Sequence, residues 1–234
     1  MKKMKSNKPI YVFMPACDEE KKIGEVIRGL SELELNLKIH VIDDGSVDGT
    51  AESAMKAGAM VLRHPANLGQ WAALRTGFAV SLMEGADVVV SIDADGQHDP
   101  GDLGMLVEPI LSGEADMVVG SRFFDGEKPR MPRYRYVGIR FFNKLVEMLT
   151  REKLTDCLSG YKAYNMSLVR KVLPHLKEDQ YGALEFLVKA LRHEAKVVEK
   201  PIKTKPNSDS QKGRLKFGYN LLRTIIKESF EQKA

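Results

Sequence analysis

An α/β domain built on a mainly parallel sheet is what this sequence predicts, and three observations predict it. Short apolar runs of four to six residues recur at 10–14, 37–42, 59–62, 87–92 and 117–120. Amphipathic or Ala-rich stretches of helical length lie between the earlier runs, the alternation expected of strand–helix–strand units. The run Val88-Val89-Val90-Ser91-Ile92 is β-branched with no polar alternation, the mark of a strand buried on both faces.

Each element has its own signal. Pro15 ends the first run, and Asp18-Glu19-Glu20 opens an amphipathic helix that extends through Leu30. Residues 37–42 form a second strand, and Asp48-Gly49-Thr50 leads into an Ala-rich helix over 51–57. A third strand at 59–62 is followed by Pro65-Ala66-Asn67-Leu68 and a helix over 69–84. After residue 125 the regularity breaks: 125–132 is a loop with two prolines and a glycine, and 134–150 is an aromatic-rich helix. A helix over 182–193, a strand over 196–202, a polar loop over 203–213 and a basic amphipathic helix over 215–230 complete the chain. The expected division is one domain over 1–205 and an appendage over 206–234.

With 234 residues, 43% of them hydrophobic, the chain can bury a full core. A net charge of +4 gives no reason to propose nucleic acid as a partner. Cys17 and Cys157 lack metal or redox spacing and read as small buried residues in a reducing compartment. No window approaches the ~20 apolar residues of a membrane span, and residues 1–6 are not a secretory leader, so a soluble, cytoplasm-facing protein is expected.

The chemistry centres on Ser91-Ile92-Asp93-Ala94-Asp95-Gly96-Gln97. Two carboxylates two residues apart at a strand end repel each other unless a cation lies beside them. Mg²⁺ or Mn²⁺ held by one or two carboxylates and completed by phosphate oxygens fits that pattern, and a solvated acidic loop is the competing reading. Position favours chemistry, because ligands of parallel sheets sit beyond the carboxyl ends of the strands. The loops beginning at Pro15, Asp43, Asn67 and Asp93 all belong to that edge. Asp44 can accept a nucleobase N–H while Asp43 caps the following turn, and Glu19 can take ribose hydroxyls.

Five segments then carry a resemblance: Pro15-Ala16-Cys17-Asp18-Glu19, Val41-Ile42-Asp43-Asp44-Gly45-Ser46-Val47-Asp48-Gly49-Thr50, Asn67-Leu68-Gly69-Gln70, Asp93-Ala94-Asp95-Gly96-Gln97 and Gly120-Ser121-Arg122. In this order they resemble the family 2 glycosyltransferases of the GT-A fold, in particular the dolichyl-phosphate mannose synthase-like and polyprenyl-phosphate sugar synthase branch. The resemblance covers about residues 9–205. It implies a nucleotide-sugar donor, UDP- or GDP-linked, with Pro15, Cys17, Glu19 and Asp44 around the nucleoside. It also implies metal and diphosphate on Asp93 and Asp95, with Asp95 in the catalytic centre and Gln97 close by. The family's first motif has Tyr and Asn where this chain has Cys17 and Asp18. The segment Asp156-Cys157-Leu158-Ser159-Gly160-Tyr161-Lys162 resembles an Asp-x-x-Ser-Gly-Phe-Arg element after the acceptor loop, placing Ser159 and Lys162 near the acceptor.

Two acceptors stay open. A polyprenyl phosphate is already anionic and needs cations, for which Arg122, Arg133 and Arg135 are the candidates; Arg135 falls near the branch's acceptor-phosphate position. A hydroxyl on a glycan or protein needs a carboxylate base, for which Glu185 and Asp156 are the candidates. A non-catalytic nucleotide-sugar binding protein is the rival from another class. An acidic first loop in place of a Gly-rich basic one argues against nucleotidyl transfer.

Residues 134–149 interleave Tyr134, Val137, Phe141 and Leu145 with Arg140 and Lys144, which suits an interfacial helix, and 212–230 repeats the composition. Peripheral contact with the cytoplasmic membrane face is therefore expected, with packing on the sheet, a homodimer contact or a membrane-protein partner as the other uses of such helices. By the same resemblance, the segment 202–212 sits where the branch carries cations that close over the donor phosphates, a role that falls here to Lys205 or Lys212.

Overall fold

A computed structural model describes residues 8–126, 129, 131–176 and 182–205. The elements run β1 (Ile10–Ala16), α1 (Glu20–Ser31), β2 (Leu37–Asp43), α2 (Thr50–Lys56), β3 (Met60–Arg63), α3 (Gln70–Met83) and β4 (Val88–Ser91). They continue with α4 (Leu103–Leu111), β5 (Met117–Ser121), α5 (Arg133–Thr150), β6 (Lys162–Asn165), α6 (Met166–Val172), α7 (Gly182–Arg192) and β7 (Val197–Pro201). The strands form one seven-stranded sheet in the order β3-β2-β1-β4-β6-β5-β7.

The sheet is parallel as expected except at β6, which pairs antiparallel with β4 on one side and β5 on the other. Neither β6 nor the helices α4 and α6 is predicted from the sequence. The β6 segment is four residues long and begins on a lysine, so it lacks the apolar run that marks the other strands. Lys162 is nonetheless buried, its partners being supplied by tertiary structure.

Side chains alternate across the sheet because successive Cβ atoms point to opposite faces. Tyr11 and Phe13 of β1 join the core on one face, with Trp71, Phe78, Tyr164 and Phe186. Ile10, Val12 and Met14 join the other, with Ile23, Ile27, Leu103 and Leu106. In α1 the buried residues Ile23, Val26, Ile27 and Leu30 recur at three- and four-residue spacing, so a single stripe meets the sheet. The first core is aromatic: Phe78 meets Phe13 and Tyr164 edge-on with centroids 5.1 Å apart, and stacks on Phe186 at 5.5 Å. Truncating a buried phenylalanine of this kind costs about 3–5 kcal/mol. All four residues of β4 are buried, which fixes the height at which the chain emerges as Asp93.

Helix α5 buries Ile139, Phe142 and Val146, so the packing reading of this helix is true for one face. Among the described residues no helix is long and apolar enough to cross a membrane. The expected helix over 215–230, the appendage over 206–234 and the role given to Lys212 lie outside the described residues.

Candidate active site

The first two strand-end loops are knitted together by the side chains of the second. Asp18 N donates to Ser46 Oγ at 3.0 Å, and Val47 N donates to Asp18 Oδ1 at 2.9 Å. Glu19 N donates to Thr50 Oγ1 at 2.8 Å, and Glu20 N to Asp48 Oδ2 at 3.2 Å. Asp18 adopts a φ of 56°, the left-handed conformation that Asp and Asn enter more readily than most residues. Asp43 is the capping acid of its pair: its Oδ1 accepts from both Ser46 N and Ser46 Oγ.

Asp44 binds the third loop. It is buried, and its oxygens accept from Leu68 N at 2.9 Å and Gly69 N at 2.8 Å. Gly69 has a φ of 98°, a conformation glycine adopts without steric cost, and this aims its N–H at the carboxylate. A carboxylate only accepts, so His64 Nδ1–H donates to Asp44 Oδ1 at 2.8 Å, while Nε2 lies 2.9 Å from Thr76 Oγ1. With three donors already bound, Asp44 keeps about one lone-pair direction for a ligand.

These loops enclose a cavity of about 370 Å³ lined by Pro15, Ala16, Cys17, Glu19, Asp44, Asn67, Gln70 and the 93–95 turn. All four loops singled out in the sequence meet here. Cys17, expected to be buried, is instead half-buried on this wall, with Asn67 Nδ2 at 3.2 Å from its sulfur. Burial and the neighbouring carboxylates of Asp18, Asp44 and Asp43 raise its thiol above the ordinary value, against the Asn67 hydrogen bond.

A second cavity of about 530 Å³ lies against the first. Gln70, Asp93 and Asp95 line both, so the two acids stand on the shared wall. Gln97, on the wall of the larger cavity, holds Asp95 in a tight turn through its backbone N at 3.0 Å and its side-chain amide. Asp93 Oδ1 accepts from Gln70 Nε2 at 3.2 Å, and Oδ2 lies 3.5 Å from His98 Nε2. Burial acts to raise the Asp93 carboxyl, but the His98 hydrogen bond and the charges of His98, Arg122 and Lys162 outweigh it and hold it below its ordinary value.

Two carboxylates at a cavity junction are a hard oxygen donor set. Among the described residues no three His, Cys, Asp or Glu side chains gather into a metal cage. Asp93 and Asp95 supply the one or two carboxylates that Mg²⁺ or Mn²⁺ takes when phosphate oxygens and water complete its shell, so the residues present fit such an ion.

The larger cavity is cationic. Arg122, Arg135, Lys162 and His98 line it with Ser159, and Asp93 and Asp95 are the only carboxylates among its described lining residues. Arg122 is clamped by Asp156, Nε donating to Oδ2 at 2.6 Å and Nη2 to Oδ1 at 2.8 Å, with Arg122 N adding a bond at 3.1 Å. Asp156 is fully buried, and this pairing overcomes the burial that would lower the Arg122 value. Lys162 donates to Cys157 O at 3.3 Å, and its burial pulls the ammonium below its ordinary value against Cys157, Asp156 and Asp93.

Three sequence candidates do not reach this cavity wall. Arg133 is exposed on the first turn of α5, two residues from the lining Arg135. Glu185 is buried in α7 with Lys189 Nζ at 3.7 Å, while its neighbours Ala183 and Leu184 line the cavity, so it stands behind the wall. Asp156 is occupied by Arg122 and is not a base open to a substrate. Lys205 ties its backbone N to Gln97 O at 2.8 Å and its ammonium to Glu25 at 3.1 Å. Sequence reading missed His98, Gln70 and Gly160. His98 and Gly160 each stood inside or beside a quoted motif and carried no separate signal, because a lone His or Gly has too many structural uses.

The glycosyl transferase family 2 model matches residues 11–173, which include the four strand-end loops around the smaller cavity. The chain belongs to glycosyl transferase family 2. This family 2 chain is 39% identical over 197 residues to the uncharacterized protein MJ1222 of Methanocaldococcus jannaschii, covering 83% of this chain and 81% of the relative. It is 30% identical to the UDP-N-acetylglucosamine–dolichyl-phosphate N-acetylglucosaminyltransferase of Methanococcus voltae, covering 85% and 86%. The polyprenol monophosphomannose synthase of Mycolicibacterium smegmatis is 29% identical, with 82% and 75% covered. The two named enzymes are of the polyprenyl-phosphate sugar synthase branch that the motifs resemble. A crystal structure of glucosyl-3-phosphoglycerate synthase from Mycobacterium tuberculosis with Mn²⁺, UDP-glucose and phosphoglyceric acid superposes with a TM-score of 0.77 at 22% identity, covering 97% of this chain and 81% of that one. That likeness gives the family 2 chain the GT-A fold expected of it.

Proposed function

We propose that this glycosyltransferase moves a sugar from a UDP- or GDP-sugar to a polyprenyl phosphate, with inversion at the anomeric carbon and with Mg²⁺ or Mn²⁺ bound. One observation carries the reading: two cavities share the Asp93/Asp95 wall, and the larger one is lined by Arg122, Arg135, Lys162 and His98 with no other carboxylate among its described lining residues. An anionic acceptor matches that lining. A hydroxyl acceptor would call for a general base there.

In this reading the nucleoside lies in the smaller cavity among Pro15, Cys17, Glu19 and Asp44, and the diphosphate reaches Asp93, Asp95 and Gln97. The divalent ion, when bound, neutralises the charge that grows on the departing diphosphate. Arg122, held rigid by its clamp on Asp156, offers its remaining N–H donors to that diphosphate. Arg135, Ser159 and Lys162 hold the acceptor phosphate, whose oxygen is already ionised and attacks without a strong base. The names of the archaeal and mycobacterial relatives, and the Mn²⁺ and UDP-glucose held by the structural neighbour, support donor, acceptor and metal alike.

The test is a panel of UDP- and GDP-sugars incubated with the full chain and polyprenyl phosphate, with and without Mn²⁺. The reading expects metal-dependent release of nucleoside diphosphate matched by sugar entering the lipid. Saturable nucleotide binding without product from any donor would overturn it in favour of a binding protein.

A further inference from the structure

The segment 155–157 carries the carboxylate that clamps Arg122, yet it belongs to no helix or strand. Backbone without a ladder must find each N–H and C=O a partner elsewhere, and all six groups of this segment have one. Glu199, on β7, accepts from Thr155 N at 2.8 Å and from Asp156 N at 2.9 Å. Asn143, on α5, donates its amide N–H to Thr155 O at 2.6 Å and accepts from Cys157 N at 2.9 Å. Ser159 N takes Asp156 O at 3.2 Å, and Lys162 Nζ takes Cys157 O at 3.3 Å. Two side chains from distant elements thus hold four of the six groups.

Glu199 also orders the hydroxyls beside the guanidinium. Thr155 Oγ1 donates to Glu199 Oε2 at 2.9 Å, so its own lone pair receives the proton of Ser121 Oγ, 2.5 Å away. Ser121 Oγ in turn accepts from Phe123 N at 3.1 Å. Every proton of this chain points toward Glu199, and Ser121 and Phe123 flank Arg122 in sequence. Such a chain needs a terminus that only accepts, which a carboxylate supplies and an amide does not. Asn143 adds a second constraint, because it shares α5 with Arg135 of the larger cavity. The apolar contacts of Ile139, Phe142 and Val146 press α5 onto the core without directing it, whereas the two amide bonds fix its register against 155–157.

We propose that Asn143 and Glu199 are positioning residues of the cationic wall. Neither lines the two catalytic cavities, and both act through segment 155–157. That segment presents the Asp156 carboxylate that orients Arg122, and its bonds to Asn143 set where α5 holds Arg135. A residue that merely stabilised the fold would serve both cavities alike. These two serve the larger one, because the loops around the smaller cavity are joined by bonds of their own to Asp44, Ser46 and Thr50. The effect on sugar transfer rests on the lipid-phosphate reading of the acceptor; the positioning itself does not.

The experiment compares Asn143→Ala, Glu199→Gln and the double variant with the wild type, each as the full chain. Glu199→Gln keeps the shape of the side chain and turns one accepting oxygen into a donor. Each single variant is expected to lower kcat/KM for polyprenyl phosphate on the order of 10–100-fold, the scale of a displaced reacting or supporting group. Affinity for UDP or GDP, whichever the wild type binds, is expected to stay unchanged in calorimetric titration, which also shows that the variants fold. Because both residues act through one segment, the double variant is expected to lose little more than the worse single one. Hydrogen exchange is expected to quicken at 121–123 and 155–159 and to hold its wild-type rate at 15–19 and 43–46. Wild-type kcat/KM in either single variant, losses that multiply in the double variant, or a matching fall in nucleotide affinity would each overturn the proposal. Absence of transfer in the wild type would instead strike the functional reading. The exchange pattern then decides this one: quickening confined to 121–123 and 155–159 supports it, and unchanged exchange sinks it.

Discussion

The carboxylate of Asp93 rests directly on the backbone of Gly160, and a Cβ at that position would lie far inside van der Waals contact with both carboxylate oxygens. The contact is reinforced one step away, where Ser91 Oγ donates to Gly160 O at 3.0 Å. The end of β4 and the segment entering β6 are thus fitted to each other through a missing side chain. Gly160→Ala must displace Asp93, and the expected result is a loss of about 10–100-fold in divalent-ion affinity or turnover, the scale of disturbed ligand support. Titrating the transfer rate with Mn²⁺ checks it; an unchanged metal dependence would show that Asp93 does not need its present position.

The Arg122–Asp156 pair is predicted to be a structural requirement of the acceptor wall. Asp156→Ala leaves a nearly buried guanidinium without its carboxylate, a change that costs about 3–5 kcal/mol. Urea denaturation of variant and wild type measures it. A difference under about 1 kcal/mol would mean that Arg122 finds another partner or reaches water.

Asp44 joins three loops, so its removal should do more than weaken a ligand. Asp44→Ala removes the acceptor shared by the N–H groups of Leu68 and Gly69, each a hydrogen bond to a charged group worth about 1.5–3 kcal/mol. His64→Ala removes one donor and keeps the carboxylate; nucleotide binding is expected to weaken about fivefold, the equivalent of ~1 kcal/mol. Calorimetric titration with UDP and GDP separates the two variants, and equal affinity in His64→Ala and wild type would contradict a positioning role for the imidazole.

Glu199 gives a pH dependence of known sign. Burial raises its carboxyl above the ordinary 4.5, more than the hydrogen bonds from Thr155 and Asp156 lower it. The folded state therefore binds this proton more tightly than the unfolded state. The stability Glu199 contributes is present below pH 4.5 and is lost as pH rises through the raised folded value. Glu199→Gln should gain stability relative to wild type across that window, read from urea midpoints at several pH values. A wild type that gains on the variant as pH rises would reverse the sign.

Much of the smaller cavity was legible in sequence because it is built from local signals. An apolar β-branched run ending in Asp93 specifies both a buried strand and an acid at its tip, and Asp43-Asp44-Gly45-Ser46 encodes its own turn. Pro15, Cys17, Glu19, Asp44, Asp93 and Asp95 accordingly meet at one cavity. The larger cavity was less legible because its residues are defined by distant partners. Nothing near Lys162 announces a buried strand, since burial of its ammonium depends on Asp93 and Asp156 arriving from elsewhere. Glu185, a candidate base in the sequence, is buried in α7 beside Lys189, a setting that no local signal announces.

The central claim is that the acceptor is recognised as an anion in the cavity lined by Arg135 and Lys162. It is tested most directly by offering two acceptors with the same chain, polyprenyl phosphate and the neutral polyprenol, with the preferred nucleotide sugar and Mn²⁺. The account predicts a sugar-bearing lipid from the phosphate alone, and loss of that product in Lys162→Met while nucleotide affinity is kept. Equal glycosylation of polyprenol, or full transfer by Lys162→Met, would contradict it.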